Sequence, residues 1–262
     1  MCAGVKTLTR RVALVTGGAA GLGLAVSLRL AEHGFAVCVL ARNYEQAGEV
    51  VEALKQQGKE AFAARVDVSE YASIREGFQL CVQEFGRIDA VICNAGVCEV
   101  LPFFDVTPDD WDRAFDVNAR GIFFCNQIAA SLMRENGGRI INITSPASQL
   151  GLPYYAAYAA SKAAVDSITR TAAIALAEFN IRVNSVSPGR MDTRMQERGE
   201  RALAEFTGQE YEQLVAQRTK ALPLQRRLSV DEVADAVIFL LSDAADFMTG
   251  SCLNITGGQR LS

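Results

Sequence analysis

Short, uninterrupted apolar runs alternate along the chain with longer segments in which apolar residues recur every three or four positions. The short runs are typical of buried strands and the longer segments of amphipathic helices. Strands are predicted at 12–16, 36–41, 61–66, 88–93, 139–144, 181–187 and 252–256. Because strands and helices alternate, we expect an α/β fold: a single doubly wound domain with a seven-stranded parallel sheet and helices on both faces.

Helices are expected in the intervals between these strands. One should end near Gly34, and others should cover 44–57, 70–85 and 230–241. A long helix should begin near Pro108, and another should follow the fifth strand. The remaining stretch, from 190 to about 228, is highly charged and contains no predicted strand.

A glycine-rich stretch at 17–23 stands between the first strand and the first helix. Glycines allow the backbone to approach a pyrophosphate closely, and a helix N-terminus favours its negative charge. The order of strand, loop and helix therefore favours a nucleotide-binding site over a plain tight turn.

A distinctive residue follows each of the first six predicted strands. Ligands of open parallel sheets bind beyond the carboxyl ends of the strands, where these residues should converge. They are Gly17, Arg42, Asp67, Asn94, Ser145 and Pro188.

Tyr158 and Lys162 stand four positions apart in an alanine-rich stretch, so both should project from one face of a helix. A phenol beside an ammonium group is a candidate proton donor whose anion is stabilised. Because free tyrosine has a pKa of about 10, action near neutral pH needs desolvation and a second positive charge, such as an oxidised nicotinamide. The spacing alone proves little, since Tyr71 and Arg75 share it on what we interpret as a solvated helix face.

Composition excludes several classes of function. Of 262 residues, 50% are hydrophobic, which is enough for a core, and the net charge of −4 argues against a nucleic-acid partner. No apolar run reaches the roughly 18 residues of a membrane span, so no membrane partner is expected. The first eleven residues lack the apolar centre of a signal peptide.

Cysteine and histidine usage narrows the choice further. The seven scattered cysteines form no Cys-x-x-Cys pair and are interpreted as buried thiols of a reduced, cytoplasmic protein. The only histidine, His33, is expected in the solvated last turn of a helix, which argues against a Ser-His-Asp triad. No residues have metal-ligand spacing, so no metal site is expected.

In this order along the chain, the motifs resemble those of the short-chain dehydrogenase/reductase family. The resemblance extends from Val12 to Gly258. Its motifs are the stretch from Thr16 to Gly23, Asp67, Asn94-Ala95-Gly96, Asn118, Ser145, Tyr158 with Lys162, and Pro188-Gly189 with Thr193. It implies one Rossmann-type oxidoreductase domain over 1–262, with a cofactor-binding and catalytic core at about 10–189 and a variable substrate lid at about 190–228.

The resemblance also implies four catalytic residues. Tyr158 would exchange a proton with the substrate oxygen, and Lys162 would lower the phenol pKa and hold the nicotinamide ribose. Ser145 would hydrogen-bond the reacting carbonyl or hydroxyl group. Asn118 would hold a water behind Lys162.

The expected cofactor contacts come from the glycine loop, the strand ends and the resemblance. They are Gly17, Ala19, Gly21, Leu22, Gly23, Arg42, Asn43, Asp67, Val68, Asn94, Ala95, Gly96, Tyr158, Lys162, Pro188, Gly189, Met191 and Thr193. NADP(H) is preferred, because Arg42 can hold a 2′-phosphate and no carboxylate stands at the end of the second strand. NAD(H) is the alternative, since Ala20 offers no second basic residue.

The substrate is expected to be small and polar: a polyol, ketose, sugar phosphate or hydroxy acid. If the segment after Gly189 is helical, Arg190, Arg194 and Arg198 share one face, and Arg190 lacks a local acidic partner. Arg190, Tyr154 and Tyr155 are therefore candidate substrate contacts together with Ser145. Alternatively, the arginines form a solvated lid face and the substrate is neutral or acyl-linked.

Two other functions stay open at this point. One is a 3-oxoacyl or other ketone reductase of the same family, and the other is a non-catalytic nucleotide-sensing protein on the same fold. A homotetramer, or alternatively a homodimer, is expected from the alanines around Tyr158, which would leave a flat apolar strip on a monomer.

Overall fold

The computed structural model describes residues 10–259. Seven parallel strands form one sheet in the order β3-β2-β1-β4-β5-β6-β7, which confirms the predicted fold class. The strands are β1 Arg11–Thr16, β2 Phe35–Ala41, β3 Ala61–Arg65, β4 Ala90–Cys93, β5 Gly138–Ile143, β6 Ile181–Pro188 and β7 Cys252–Ile255.

Nine α-helices lie within the described residues. They are α1 Gly21–Glu32, α2 Tyr44–Gln56, α3 Tyr71–Phe85, α4 Pro108–Phe115, α5 Gly121–Met133, α6 Ala156–Leu176, α7 Arg194–Thr207, α8 Tyr211–Lys220 and α9 Val230–Leu241. Capping boxes begin two of them: Thr107 with Asp110 for α4, and Ser229 with Glu232 for α9. Such capping boxes satisfy helix N–H groups that have no partner within the helix.

The first strand shows why its sequence is uninterruptedly apolar. Ala13 and Val15 pack on one side of the sheet with α1, α2 and α9, whereas Val12 and Leu14 pack on the other side with α3, α5 and α6. Since successive side chains point to opposite faces, a strand covered on both sides needs apolar residues at every position.

The helix predicted from Pro108 is interrupted. A π-type turn at Asp116–Arg120 separates α4 from α5, and it carries the buried Asn118. Such turns add a residue to the helix and frequently occur at functional sites. The interruption directs Asn118 toward the main chain that follows β4, where its side-chain amide forms two hydrogen bonds with the main chain of Val97.

The charged segment after Gly189 folds into α7 and α8. A small third core of Val100, Leu203, Ala204 and Leu214 holds these two helices over the carboxyl ends of the strands. Because α7 begins only at Arg194, the expectation that Arg190 shares its helical face is wrong.

Several smaller predictions have mixed outcomes. His33 is exposed and caps α1, and Tyr71 and Arg75 are exposed, all as predicted. The cysteine prediction is only partly right, because Cys98 and Cys252 are partly exposed while the four other described cysteines are buried. Cys2 and most of the N-terminal stretch that was judged to lack a signal peptide lie outside the described residues.

Two kinds of feature are absent from residues 10–259. No helix there has both the length and the apolar character needed to cross a bilayer. No group of three or more histidine, cysteine or acidic side chains is arranged to hold a metal ion.

Candidate active site

A cavity of about 380 Å³ opens at the carboxyl ends of the central strands, as expected for a parallel sheet. The glycine loop, the ends of β4, β5 and β6, and helices α6 and α7 form its walls. The predicted site residues that line it are Gly17, Gly21, Leu22, Asn94, Ala95, Gly96, Ser145, Tyr155, Tyr158, Lys162, Pro188, Gly189, Arg190, Met191 and Thr193.

The glycine loop has the shape that a dinucleotide phosphate requires. A Cβ atom at Gly23 would lie 2.1 Å from the main-chain oxygen of Gly17, so only glycine permits this close packing. Gly17 and Gly21 have φ values of 65° and 51°, which favour glycine. The first turn of α1 contains no acidic residue and has no side-chain cap, which leaves its N–H groups available to an anion. The buried Ala19, which does not line the cavity, belongs to the same loop.

Asn94 fastens this loop to the end of β4. Its side-chain amide donates to the main-chain oxygens of Thr16 at 3.0 Å and Gly17 at 3.3 Å. In return the Thr16 hydroxyl accepts from the main-chain N–H groups of Asn94 and Ala95. These hydrogen bonds therefore hold the glycine loop to the end of β4.

Ser145, Tyr158 and Lys162 line the same cavity. Ser145 follows β5 and its hydroxyl accepts from the N–H of Ala147 at 3.2 Å, while Tyr158 and Lys162 project from α6. The Lys162 ammonium lies 5.8 Å from the centre of the Tyr158 ring and donates to the main-chain oxygen of Ile143 at 2.9 Å.

Burial dominates the acid–base properties of these groups. It raises the pKa of Tyr158 well above its usual value, and a hydrogen bond from Ser145 only partly opposes this. Burial also lowers the pKa of Lys162 to about 8, although Cys98 and Asp166 nearby raise it. The lowered phenol pKa expected from Lys162 is thus not a property of the chain by itself, because desolvation by burial raises the pKa of Tyr158.

Asn118 lies behind Lys162, outside the cavity lining. Its side-chain oxygen accepts from the N–H of Val97 at 2.8 Å, and its amide group donates to the oxygen of Val97 at 2.8 Å and to the Ser161 hydroxyl at 3.0 Å. Both amide hydrogens are therefore used within the protein. A water held by this side chain would have to donate to its oxygen.

Four predicted cofactor residues lie beyond the cavity, at the ends of β2 and β3. Arg42 is exposed. Burial raises the pKa of Asp67, but hydrogen bonds from Ser69 and the charges of Arg42 and Arg65 together lower it below its usual value. The side chain of Asn43 caps α2 by accepting from the N–H of Gln46, and Val68 is buried.

The structure separates the two tyrosines that were predicted to contact substrate. Tyr155 lines the cavity, with its ring centre 6.4 Å from that of Tyr158. Tyr154 does not line it and instead stacks on Phe206 at 6.1 Å, so its predicted place in the cavity wall is wrong. Adjacent residues just before a helix point in different directions, and here only the second one faces the cavity.

Sequence reasoning missed several residues of the cavity wall, among them Cys98, Arg218 and Gln259. Arg218 lies on α8, and its main-chain oxygen accepts from the guanidinium of Arg190 at 2.7 Å. No local pattern could have identified it, because the contact joins residues far apart in the chain.

Comparisons with known proteins agree with this geometry. A family model described as enoyl-(acyl carrier protein) reductase matches residues 17–260. The 3-oxoacyl-(acyl-carrier-protein) reductase of Staphylococcus epidermidis is 34% identical over 249 residues, which are 94% of this chain and 98% of that protein.

Solved structures show the same likeness. NAD⁺-bound xylitol dehydrogenase has a TM-score of 0.92 and 35% identity, covering 97% of this chain and 100% of that one. A variant of actinorhodin polyketide ketoreductase with NADPH has a TM-score of 0.93 and 28% identity, covering 98% and 100%.

The chain therefore belongs to the short-chain dehydrogenase/reductase family, as its motifs had indicated. It is a nicotinamide-dependent oxidoreductase that acts on CH–OH groups.

Proposed function

We propose that the protein interconverts a secondary alcohol and a ketone on a small polar substrate: a polyol, ketose, sugar phosphate or hydroxy acid. The observation that carries this proposal is the convergence of Ser145, Tyr158 and Lys162 on the cavity that the glycine loop also lines. When bound, the nicotinamide cofactor supplies or accepts the hydride.

In this proposal each residue acts at a defined atom. Tyr158 exchanges a proton with the substrate oxygen, and Ser145 holds that oxygen by a hydrogen bond. Lys162 binds the nicotinamide ribose, while Asn118 positions the main chain at Val97 and offers its oxygen to a water. Since burial raises the pKa of Tyr158, the positive charge of oxidised nicotinamide has to help bring the phenol into its working range.

NADP(H) is the proposed cofactor, with NAD(H) as the alternative. The exposed Arg42 follows β2, and within the described residues no carboxylate lies within 4 Å of its guanidinium. It is therefore free to pair with a 2′-phosphate. The two structural neighbours do not decide the preference, since one contains NADPH and the other NAD⁺.

A polar substrate is supported by the part of the cavity wall that α7 and α8 complete. Arg190, Arg218, Tyr155 and Gln259 all line it, and we propose that residues 190–228 form a lid specific to the substrate. The second candidate is a 3-oxoacyl or other ketone reductase, which is favoured by the 34% identity to the staphylococcal enzyme. The apolar side chains of Leu152, Met191 and Met195 in the same wall are compatible with it.

We also propose a homotetramer, or a homodimer, in the cytoplasm. None of the six alanines 156, 157, 159, 160, 163 and 164 of α6 is buried within the chain, so a strip of small side chains is available to a second copy. Cys38, Cys81, Cys93, Cys98 and Cys125 are free thiols, as expected in a reducing compartment.

The test is a depletion screen in which NADPH or NADH is consumed with ketones, ketoses and oxoesters, followed by the reverse reaction with the corresponding alcohols. Turnover of hydroxylated ketones above that of 3-oxoacyl thioesters supports the proposal. The opposite order favours the second candidate. Cofactor binding without turnover across the panel would instead support a nucleotide-sensing role.

A further inference from the structure

A network of arginines around one buried carboxylate stands beside the proposed catalytic residues. Glu200 on α7 is completely buried, and its carboxylate contacts Arg218 Nε at 3.4 Å and Arg227 at 2.5 Å. Arg227 also contacts Asp192 at 2.8 Å. Arg190 joins the network through its 2.7 Å hydrogen bond to the main-chain oxygen of Arg218.

The charges in this network do not cancel. It contains the guanidinium groups of Arg190, Arg218 and Arg227 but only the carboxylates of Glu200 and Asp192. Among residues 10–259, no carboxylate lies within 4 Å of Arg190, and Glu200 is the only one within 4 Å of Arg218. One positive charge is therefore left over.

The excess charge lies at the cavity wall. Arg190 and Arg218 both line the cavity, whereas Glu200 lies beneath them with no exposed surface. Tyr155 connects this region to the reacting end, since its ring adjoins that of Tyr158. Burial raises the pKa of Tyr155, and the nearby charge of Arg218 partly opposes this. A molecule bound against Tyr158 thus shares the cavity with the guanidinium groups of Arg190 and Arg218, and with that of the exposed Arg194.

The stability of the fold does not by itself explain why such a network is present. Buried ion pairs commonly contribute little net stability, because desolvation offsets their attraction. An ion pair with a buried carboxylate does, however, fix the orientation of the arginine guanidinium groups, which favours bidentate binding of a carboxylate or phosphate.

We propose that Arg190 and Arg218, positioned by Glu200, form a subsite for an anionic group of the substrate. The substrate class is then narrowed to hydroxy or oxo compounds that carry a carboxylate or a phosphate. This inference rests on the proposed function for the reacting end of the cavity, but its anion subsite can be tested separately.

Two matched substrate pairs separate the two sources of negative charge. Acetoacetate is compared with its methyl ester, and dihydroxyacetone phosphate with dihydroxyacetone. The quantity measured is the ratio of kcat/KM for the charged member to that for the neutral member. We expect this ratio to exceed about 10 in one pair, and that pair identifies carboxylate or phosphate as the group bound.

Variants then assign the preference to these residues. Arg218→Met and Arg190→Met should each lower the ratio by about 10- to 150-fold, the range for losing a hydrogen bond to a charged group. Arg218→Lys keeps the positive charge but not the planar guanidinium group, so its ratio should lie between those of Arg218→Met and the wild type. Arg198→Ala is the matched control, since Arg198 is exposed on α7 and does not line the cavity, and it should leave the ratio unchanged.

A binding measurement on the wild-type protein is independent of turnover. Inorganic phosphate and malonate are titrated by calorimetry at constant ionic strength with the cofactor saturating. Binding that Arg198→Ala keeps and the folded Arg218→Lys variant weakens supports the subsite. The subsite is overturned if neither anion binds, if Arg198→Ala weakens binding equally, or if both substrate pairs show no charge preference.

The two proposals fail in different ways. If only the proposed function is wrong, no carbonyl compound is turned over, but anion binding still depends on Arg218. If only the anion subsite is wrong, ketones are turned over, but kcat/KM does not differ between the charged and neutral members of a pair.

Discussion

Lys162 Nζ donates to the main-chain oxygen of Ile143 at 2.9 Å, so the buried ammonium is tied to the end of β5 next to Ser145. The tie fixes the direction of a long side chain that would otherwise rotate freely. It also leaves two of the three ammonium hydrogens available for other acceptors, which is what the proposed ribose contact requires.

Because burial lowers the pKa of Lys162 to about 8, this residue should make stability depend on pH. Between pH 8 and about 10.4 the unfolded chain binds more protons at this lysine than the folded chain does, so the free energy of unfolding rises with pH. From pH 7.5 to 9.5 the wild type should gain about 2 kcal/mol relative to Lys162→Met. Urea unfolding at a series of pH values measures the difference, and a flat difference would refute the lowered pKa.

Tyr158→Phe removes the proposed proton donor and keeps the ring in place. We expect turnover to fall by at least about 100-fold, the lower range for general acid catalysis. Cofactor binding, followed by nicotinamide fluorescence, and the melting temperature should stay near wild-type values. Tyr71→Phe, on the solvated face of α3, is the matched control. Near-normal turnover in Tyr158→Phe would remove the basis of the assignment.

Arg42→Ala should reduce kcat/KM for NADPH by about 10- to 150-fold, as expected for losing a charge-assisted hydrogen bond to the 2′-phosphate. The value for NADH, which lacks this phosphate, should change by less than about threefold on the same argument. Arg75→Ala, at an exposed arginine of α3, controls for a general loss of positive charge. A wild-type enzyme that prefers NADH would contradict the proposed preference.

Light scattering at micromolar concentration should give the mass of a tetramer or a dimer. Ala163 is exposed on α6, and Ala163→Glu should produce a smaller species by placing a charge in the proposed contact. Ala53→Glu, at an exposed alanine of α2, should leave the mass unchanged. A monomeric wild type would show that the alanine strip of α6 is simply solvated.

The fold class, the glycine loop and the placement of Tyr158 and Lys162 on one helix could all be predicted from the amino-acid sequence. Helices and strands covered on both faces each require a characteristic spacing of apolar residues, which can be read from the sequence. At position 23 only glycine fits, and the glycine is visible in the sequence as well. Ser145, Asn94 and Pro188 were predicted near one another for a related reason, since the carboxyl ends of parallel strands share one edge of the sheet.

The polar groups that complete the cavity could not be predicted in this way, because they are brought together by tertiary contacts. Arg218 and Glu200 carry no recognisable motif, and they meet Arg190 because α7 and α8 pack across the site on a small core around Leu203 and Leu214. Similarly, the π-type turn at Asp116–Arg120 and the different directions of Tyr154 and Tyr155 depend on neighbours distant in sequence. Contacts of this kind follow from long-range packing, which hydrophobic periodicity does not encode.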